Sequence, residues 1–187
     1  MKSSKKQINI TEILYNLPSN WEWVTTSQLA SKITDGTHKT PLYTKSGVKF
    51  VSIENISKGY LNLSKTKYIS EDEHFELSKR CNPEKGDILI CRIGTLGKPV
   101  IIETDEQFSI FVSLGLLKII DKNLTHYILN VLKSPLIDKF IENIKVGGGT
   151  HTFKINIEDL YMFPIPLPPL KEQQKILDTL SILKRIN

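Results

Sequence analysis

The sequence holds few cysteines and lacks any long apolar run. Cys81 and Cys91 are the only two cysteines in 187 residues, and their spacing is not typical of metal ligands. We interpret them as reduced thiols of a cytoplasmic protein, with one disulfide between them as the open alternative. No apolar run approaches the roughly 20 residues that cross a bilayer. The basic N-terminal segment has no apolar core of a secretory signal, so neither secretion nor contact with a membrane is expected.

Motifs that mark enzymes are also missing. The four histidines are scattered, and none forms a pair four residues apart with a carboxylate to hold a metal. No serine lies on a G-x-S-x-G turn. The run GGGTH lacks the lysine and hydroxyl residue of a phosphate-binding P-loop. LPPL, at 167–170, lacks the Asn or Asp and the terminal aromatic with which amino-methyltransferases grip their target amine. We expect a non-catalytic chain without a cofactor or metal of its own.

What is present is the composition of a globular protein, with 40% hydrophobic and 24% charged residues. We predict an α+β (mixed α/β) globular domain with a projecting C-terminal α-helix. Residues 1–16 would form an N-terminal arm, 17–168 the globular domain and 169–187 the helix. Helices are predicted at 70–80, with Ser70 as cap, at 125–134, and at 134–144, where Ser134 would be the cap and Pro135 the first helical residue. A short helix is predicted within 26–33.

Strands are predicted where short apolar runs lie between turn residues. The run GDILICRIG, at 86–94, predicts a buried strand, and the runs within 98–120 are expected to continue its sheet. Residues 48–53 predict a further strand, and 60–70 a strand pair. Three consecutive glycines, 147–149, are interpreted as a loop that no regular element would keep.

Four prolines between 164 and 169 exclude a helix or a central strand there, so we expect an extended segment that packs on the domain. Pro169 fits the first position of the helix that follows. The apolar stripe of this helix is Ile176, Leu177, Leu180 and Leu183. It would pack either on the domain itself or against a partner helix, and we favour the partner helix because the pattern continues to the end of the sequence.

Positive charge is concentrated in the first third of the sequence. Residues 1–68 hold ten lysines and four acidic residues, whereas the remainder holds fifteen basic and sixteen acidic residues. This asymmetry favours a surface that faces a polyanion, although a solvated lysine-rich face is the simpler alternative.

Five segments, in this order, resemble the specificity subunits of type I restriction–modification enzymes: LPSNWEWVTTSQLA, DGTHKTP, GDILICRIGTLGK, GGGTHTFKIN and IPLPPLKEQQKIL. Together they cover nearly the whole chain after residue 16, and the proline-rich segment is the most specific. The resemblance implies an α/β DNA target recognition domain followed by the start of a conserved spacer helix. Two such halves usually occur in tandem, and each reads one half of a split site in double-stranded DNA. Only one half is present here, so we expect a half-length subunit or a fragment.

The resemblance also implies partners. Modification subunits would carry S-adenosylmethionine and methylate adenine, a separate motor subunit would cleave DNA, and a second half-subunit would pair through the C-terminal helix. Two alternatives stay open: an assembly adapter that pairs through this helix, and the recognition portion of a fused single-chain restriction enzyme.

Candidate DNA contacts lie in polar loops, where hydroxyl and cationic side chains can reach base edges or phosphates. For each of them the alternative is an ordinary solvated side chain, and Arg92 would instead pair with an acid. The candidates are Thr37, His38, Lys39, Thr40 and Lys45; Lys65 and Lys67; Arg92, Thr95 and Lys98; and Gly148, His151, Thr152 and Lys154.

Overall fold

A computed structural model describes residues 14–149 and 151–186, so most of the predicted N-terminal arm lies outside the described residues. The fold is mixed α/β with a C-terminal helix, as predicted. The strands are β1 (Glu22–Thr25), β2 (Ala30–Asp35), β3 (Val48–Val51), β4 (Lys67–Ile69), β5 (Ile88–Cys91), β6 (Gly97–Ile101), β7 (Phe108–Ile110), β8 (Leu114–Ile119), β9 (Val146–Gly148), β10 (His151–Lys154) and β11 (Pro164–Leu167). The α-helices are α1 (Thr26–Leu29), α2 (Glu71–Ser78), α3 (Thr125–Leu132), α4 (Pro135–Ile144), α5 (Ile157–Leu160) and α6 (Leu170–Ile186).

The central sheet has the order β2–β8–β5–β6 and is antiparallel throughout. Strand β5 is buried along its whole length, which confirms the prediction from the apolar run. Alternate side chains of the sheet point to opposite faces. Ile88 and Ile90 pack with helices α3 and α4, whereas Leu89 and Cys91 pack with the second sheet. The central sheet therefore lies between a helical layer and another sheet.

The second sheet has the order β4–β3–β7, in which β3 is antiparallel to β4 and parallel to β7. The prediction that all runs within 98–120 continue the central sheet is wrong for β7. The predicted strand pair in 60–70 is also wrong, because only β4 forms there. The amide of Asn55 donates to the carbonyl oxygens of Asn62 and Lys65 at 3.0 and 2.9 Å and holds their segment in an irregular path.

Local signals placed several helices correctly. The hydroxyl of Ser70 accepts from the Glu73 N–H at 3.1 Å, as its predicted role as cap requires. Helix α4 has Pro135 at its start, where a missing N–H is harmless. The helix predicted within 26–33 ends at Leu29, because Ala30–Asp35 pairs with β8 instead.

The proline segment is extended and buried, as predicted. Strand β11 pairs antiparallel with β1, and the hydroxyl of Tyr127 donates to the Pro166 carbonyl at 2.5 Å. Helix α6 begins at Leu170, one residue later than predicted, since the carbonyl of Pro169 accepts the Glu172 N–H at 2.8 Å in the manner of a cap.

Helix α6 divides into two parts. In its first half, Ile176 and Leu177 pack on the domain core, so for these two residues the favoured contact with a partner helix is corrected to packing on the domain itself. The Gln173 side chain donates to the Pro168 carbonyl at 2.7 Å. Leu180 is half-buried, and beyond it the apolar side chains of Ile182, Leu183 and Ile186 are 50–74% exposed. Across the described residues, no helix is long and apolar enough to span a membrane.

Candidate nucleic-acid interface

A buried carboxylate lies at the start of the first candidate loop. Asp35 ends β2 and is 2% exposed. Its Oδ2 accepts from Arg92 Nη1 at 3.0 Å and from His38 Nε2 at 3.1 Å, and its Oδ1 accepts from Arg80 Nη2. A buried charge needs such partners, because an unpaired one would cost several kcal/mol.

The chain beyond Asp35 is fixed against β7. A Cβ at Gly36 would lie 2.0 Å from the Ile110 carbonyl oxygen, so only glycine allows this approach. Thr37 then donates its N–H to the same carbonyl at 3.1 Å and accepts from the Val112 N–H at 3.0 Å. The hydroxyl of Thr37 also accepts from the Lys39 N–H at 3.2 Å, which turns the chain outward. These contacts give the loop of residues 36–47 a defined first turn.

The far end of the loop rests on the second sheet. The N–H of Thr44 donates to the Tyr68 carbonyl at 2.9 Å. The Tyr43 ring packs edge-on against Phe50 with 5.9 Å between centroids, and Lys67 Nζ lies 4.3 Å from the Tyr43 centroid. The structure thus brings Lys67 together with the first loop. The exposed side chains between these two anchored ends are His38, Lys39, Thr40 and Leu42, and Lys45 is exposed just after Thr44.

The glycine run is a hairpin of β9 and β10, which corrects the expectation that no regular element would keep it. Gly147 has φ +104°, and a Cβ there would lie 2.5 Å from the Thr152 carbonyl oxygen. Glycine is therefore required in β9 to let the second strand approach. The strand still forms because the two backbones pair across the turn.

This hairpin docks on the segment that follows β5. The N–H of Gly94 donates to the Phe153 carbonyl at 2.8 Å, and the N–H of Ile155 donates to the Arg92 carbonyl at 2.8 Å. Arg92 is the residue that joins the parts of the interface: its main chain holds the hairpin, and its side chain holds Asp35 and the Val112 carbonyl. The first loop and the hairpin are therefore connected through one buried residue.

Comparison with known protein families identifies the family of this chain. The sequence model of the type I restriction modification DNA specificity domain matches residues 18–187. The chain belongs to this family. This match confirms the family resemblance that the five sequence segments indicated.

Two curated relatives and one solved structure are similar to this specificity domain. The putative type I restriction enzyme MjaX specificity subunit of Methanocaldococcus jannaschii is 28% identical over 88% of this chain and 40% of its own length. The type I restriction enzyme EcoBI specificity subunit of Escherichia coli is 25% identical over 71% of this chain and 27% of its own length. The HsdS subunit from Thermoanaerobacter tengcongensis, at 19% identity, shares the fold with a TM-score of 0.59 over 91% of this chain and 39% of that one. The chain thus spans less than half the length of each.

The remaining candidate DNA contacts of the specificity domain lie in three parts of the fold: the connection to β4, the turn between β5 and β6, and the glycine hairpin. Lys65 is exposed in the connection that leads to β4, and Thr95 and Lys98 are exposed around the turn between β5 and β6. Thr152 and Lys154 are exposed on β10, and Gly148 is half-buried in β9. The side chain of His151 lies outside the described residues. The turn at 95–98 adjoins the hairpin, since Gly94 lies against Thr152.

The side chain of Arg92 has a role different from the expected phosphate contact. Its side chain is 8% exposed and donates to Asp35, so it pairs with an acid, which was the stated alternative to a phosphate contact. The expected phosphate contact of Arg92 is therefore wrong, because its guanidinium donates to Asp35 and to the Val112 carbonyl inside the domain.

Asp35 and Arg80 were missed by the sequence analysis. Arg80 follows α2 and lies 45 residues from Asp35 in the sequence. No local pattern signals such a pair. The only hint was the Asp-Gly step at 35–36, which marks a turn.

Both cysteines are free thiols in the core, so the alternative of a disulfide between them does not hold in this structure. Burial raises the pKa of Cys81 to about 11 and the pKa of Cys91 to about 12. Within the described part of the chain, no three His, Cys, Asp or Glu side chains are grouped in a way that could hold a metal ion.

Proposed function

We propose that this specificity domain reads one half of a bipartite DNA target for a type I restriction–modification enzyme and scaffolds its modification subunits. The observation that carries the proposal is the connection through Arg92, whose main chain holds the glycine hairpin while its side chain holds the base of the first loop. Because the first loop and the glycine hairpin are held at a fixed position relative to each other, both can contact one DNA duplex at the same time. Membership of the specificity-domain family supports the same function.

The exposed side chains supply two kinds of contact. Lysine ammonium groups such as those of Lys39 and Lys45 neutralise phosphates and give salt-dependent affinity. Threonine hydroxyls and methyls and lysine donors can also meet base edges in the major groove, where each base pair presents its own pattern. Backbone contacts position the domain, and base contacts select the sequence.

Catalysis is assigned to partner chains in this proposal. Modification subunits bind S-adenosylmethionine and methylate adenine, and a restriction motor subunit cleaves DNA. A second half-subunit pairs through α6 and reads the other half of the site in the cytoplasm. The exposed apolar residues at the end of α6 support a helix partner.

Methylome sequencing of cells with and without the gene tests the proposal. We expect N6-methyladenine to disappear from one split motif when the gene is removed, which would give both the function and the half-site. An unchanged methylation pattern, or methyl transfer or DNA cleavage by the purified chain alone, would refute the proposal.

A second candidate function is that of an assembly adapter, for which DNA contact is secondary. It is favoured by Ile182, Leu183 and Ile186, whose side chains are at least half exposed at the end of α6. Sizing the chain alone and with a longer C-terminal helix would show whether pairing depends on this helix. DNA binding that persists in the unpaired form would argue against the adapter.

A further inference from the structure

A cleft lies beside the base of the first loop, between that loop and the end of α2. It has a volume of about 370 Å³, and its polar lining includes Thr37, His38, Lys39, Glu76 and Arg80. Among these residues, Arg80 is both anchored by hydrogen bonds and exposed.

The guanidinium of Arg80 is held on its inner side. Nη1 donates to the Gly36 carbonyl at 3.0 Å, and Nη2 donates to the buried Oδ1 of Asp35. The side chain is nevertheless 54% exposed. A guanidinium has five N–H donors in a rigid planar fork, and these contacts use two of them. The remaining donors are presented at the surface in a fixed orientation.

The charged side chains that line the cleft, Lys39, Arg80 and Glu76, leave a positive excess. The one negative charge of Asp35 is shared by two guanidinium groups, since Arg92 donates to its other oxygen. Glu76 is paired with Lys79 at 2.5 Å. Lys39 adds another positive charge to the lining. An anion with several acceptor oxygens fits this combination of net charge and prearranged N–H donors.

We propose that Arg80 is a phosphate anchor: its outward N–H groups hold a backbone phosphate of the DNA duplex while its inner N–H groups fix the base of the loop at Asp35 and Gly36. The inference rests on the proposed function and extends it to a residue outside the polar loops. A phosphate rather than a base is the ligand, because Arg80 lies at the anchored base of the loop and not among its projecting side chains. Contact with the backbone would set the distance of the loop from the groove.

The test measures how DNA affinity depends on salt. The full chain, alone and assembled with its modification subunits, is titrated at several salt concentrations with a duplex that carries the target motif and with one that does not. Log K falls as log[salt] rises, and loss of one phosphate contact makes this slope less steep by about 0.9. We expect this reduction for Arg80→Ala, with the affinity for target and non-target duplexes falling by the same factor. Lys85→Ala is the matched control, because Lys85 is 56% exposed, is also ion-paired, and does not line the cleft.

A second variant separates the anchor from a purely structural role. Arg80→Gln keeps an amide that can donate to the Gly36 carbonyl but carries no charge. We expect it to lose the same part of the salt slope as Arg80→Ala while its thermal unfolding stays closer to that of the unaltered chain. If the unaltered chain binds DNA and both variants keep its slope, the anchor is overturned and the proposed function stands. If the unaltered chain binds no DNA in either form, the proposed function fails and the anchor with it.

Discussion

Arg92 donates from Nη1 to Oδ2 of Asp35 at 3.0 Å, across 57 residues of sequence. Asp35 ends an outer strand of the central sheet, and Arg92 immediately follows an inner one. The pair therefore sets the position of the loop of residues 36–47 relative to the body of the domain. Because the Arg92 carbonyl also accepts from Ile155, the same residue sets the position of the glycine hairpin.

Arg92→Ala should lower the free energy of unfolding by about 3 kcal/mol, since it leaves a buried carboxylate with one strong partner fewer. Urea unfolding followed by circular dichroism measures the change. Arg92→Lys keeps a charge near Asp35 without the planar fork and should cost less. An Arg92→Ala chain as stable as the original would contradict the structural role assigned here.

Lys39→Ala tests the first loop as a reader of DNA. If Lys39 contacts a base, the change should cost ~1–3 kcal/mol of binding to the target and relax the preference at one position. If it holds a phosphate, binding to all duplexes should weaken together. Competition binding with a set of single-base variants of the target distinguishes the two. Lys58→Ala is the control, because Lys58 is an exposed lysine outside the candidate interface, and it should leave binding unchanged.

The two halves of α6 should respond differently to substitution. Leu177→Ala removes a side chain that packs on the domain core and should lower stability by about 1–2 kcal/mol. Leu183→Ala changes a side chain that is 50% exposed and should alter stability by less than about 0.5 kcal/mol. Leu183→Asp should instead weaken association with a helix partner, measured by analytical ultracentrifugation. Association that survives Leu183→Asp but fails in Leu177→Ala would refute this division.

Neither cysteine should react readily in the folded protein. Burial raises the pKa of Cys81 to about 11, so at pH 8 only about one thiol in a thousand is the reactive thiolate, and the pKa of Cys91, at about 12, is higher still. We expect slow alkylation by iodoacetamide at pH 8 and rapid modification of both residues after addition of denaturant, measured by mass spectrometry. Fast labelling of the native chain would show that these residues are more accessible than the structure indicates.

Elements whose signals are local were predictable from the sequence. Ser70 with its acidic first turn, Pro135 at the start of α4 and the apolar run of β5 each occupy a few neighbouring residues. The sheet to which β7 belongs was not predictable, because a short apolar run is equally compatible with a buried strand in either sheet. The glycine hairpin was missed since its pairing depends on the backbone of β10 rather than on strand propensity.

The exposure of the candidate loop residues was predictable from the sequence, whereas the buried contacts that hold the loops were not. Exposed residues such as Lys39 and Thr40 could be named from loop composition alone. Asp35, Arg80 and Arg92 form their contacts over 45 and 57 residues, and the sequence offers no pattern that pairs them. The separation of 57 residues between Arg92 and Asp35 also explains why Arg92 was expected at the surface. The acidic partner of a cation near the end of a strand cannot be identified until the chain has folded.

The pairing of β1 with β11 has a consequence for how this domain can be exchanged. In chain order β1 is the first described strand and β11 the last, and the two lie side by side, with Trp23 opposite Pro166. A segment that enters and leaves through adjacent strands can be removed as a cassette and replaced by another without stretching the chain on either side. Under the proposed function, replacing the segment between Glu22 and Leu167 would graft a new half-site preference while α6, and whatever binds it, is kept.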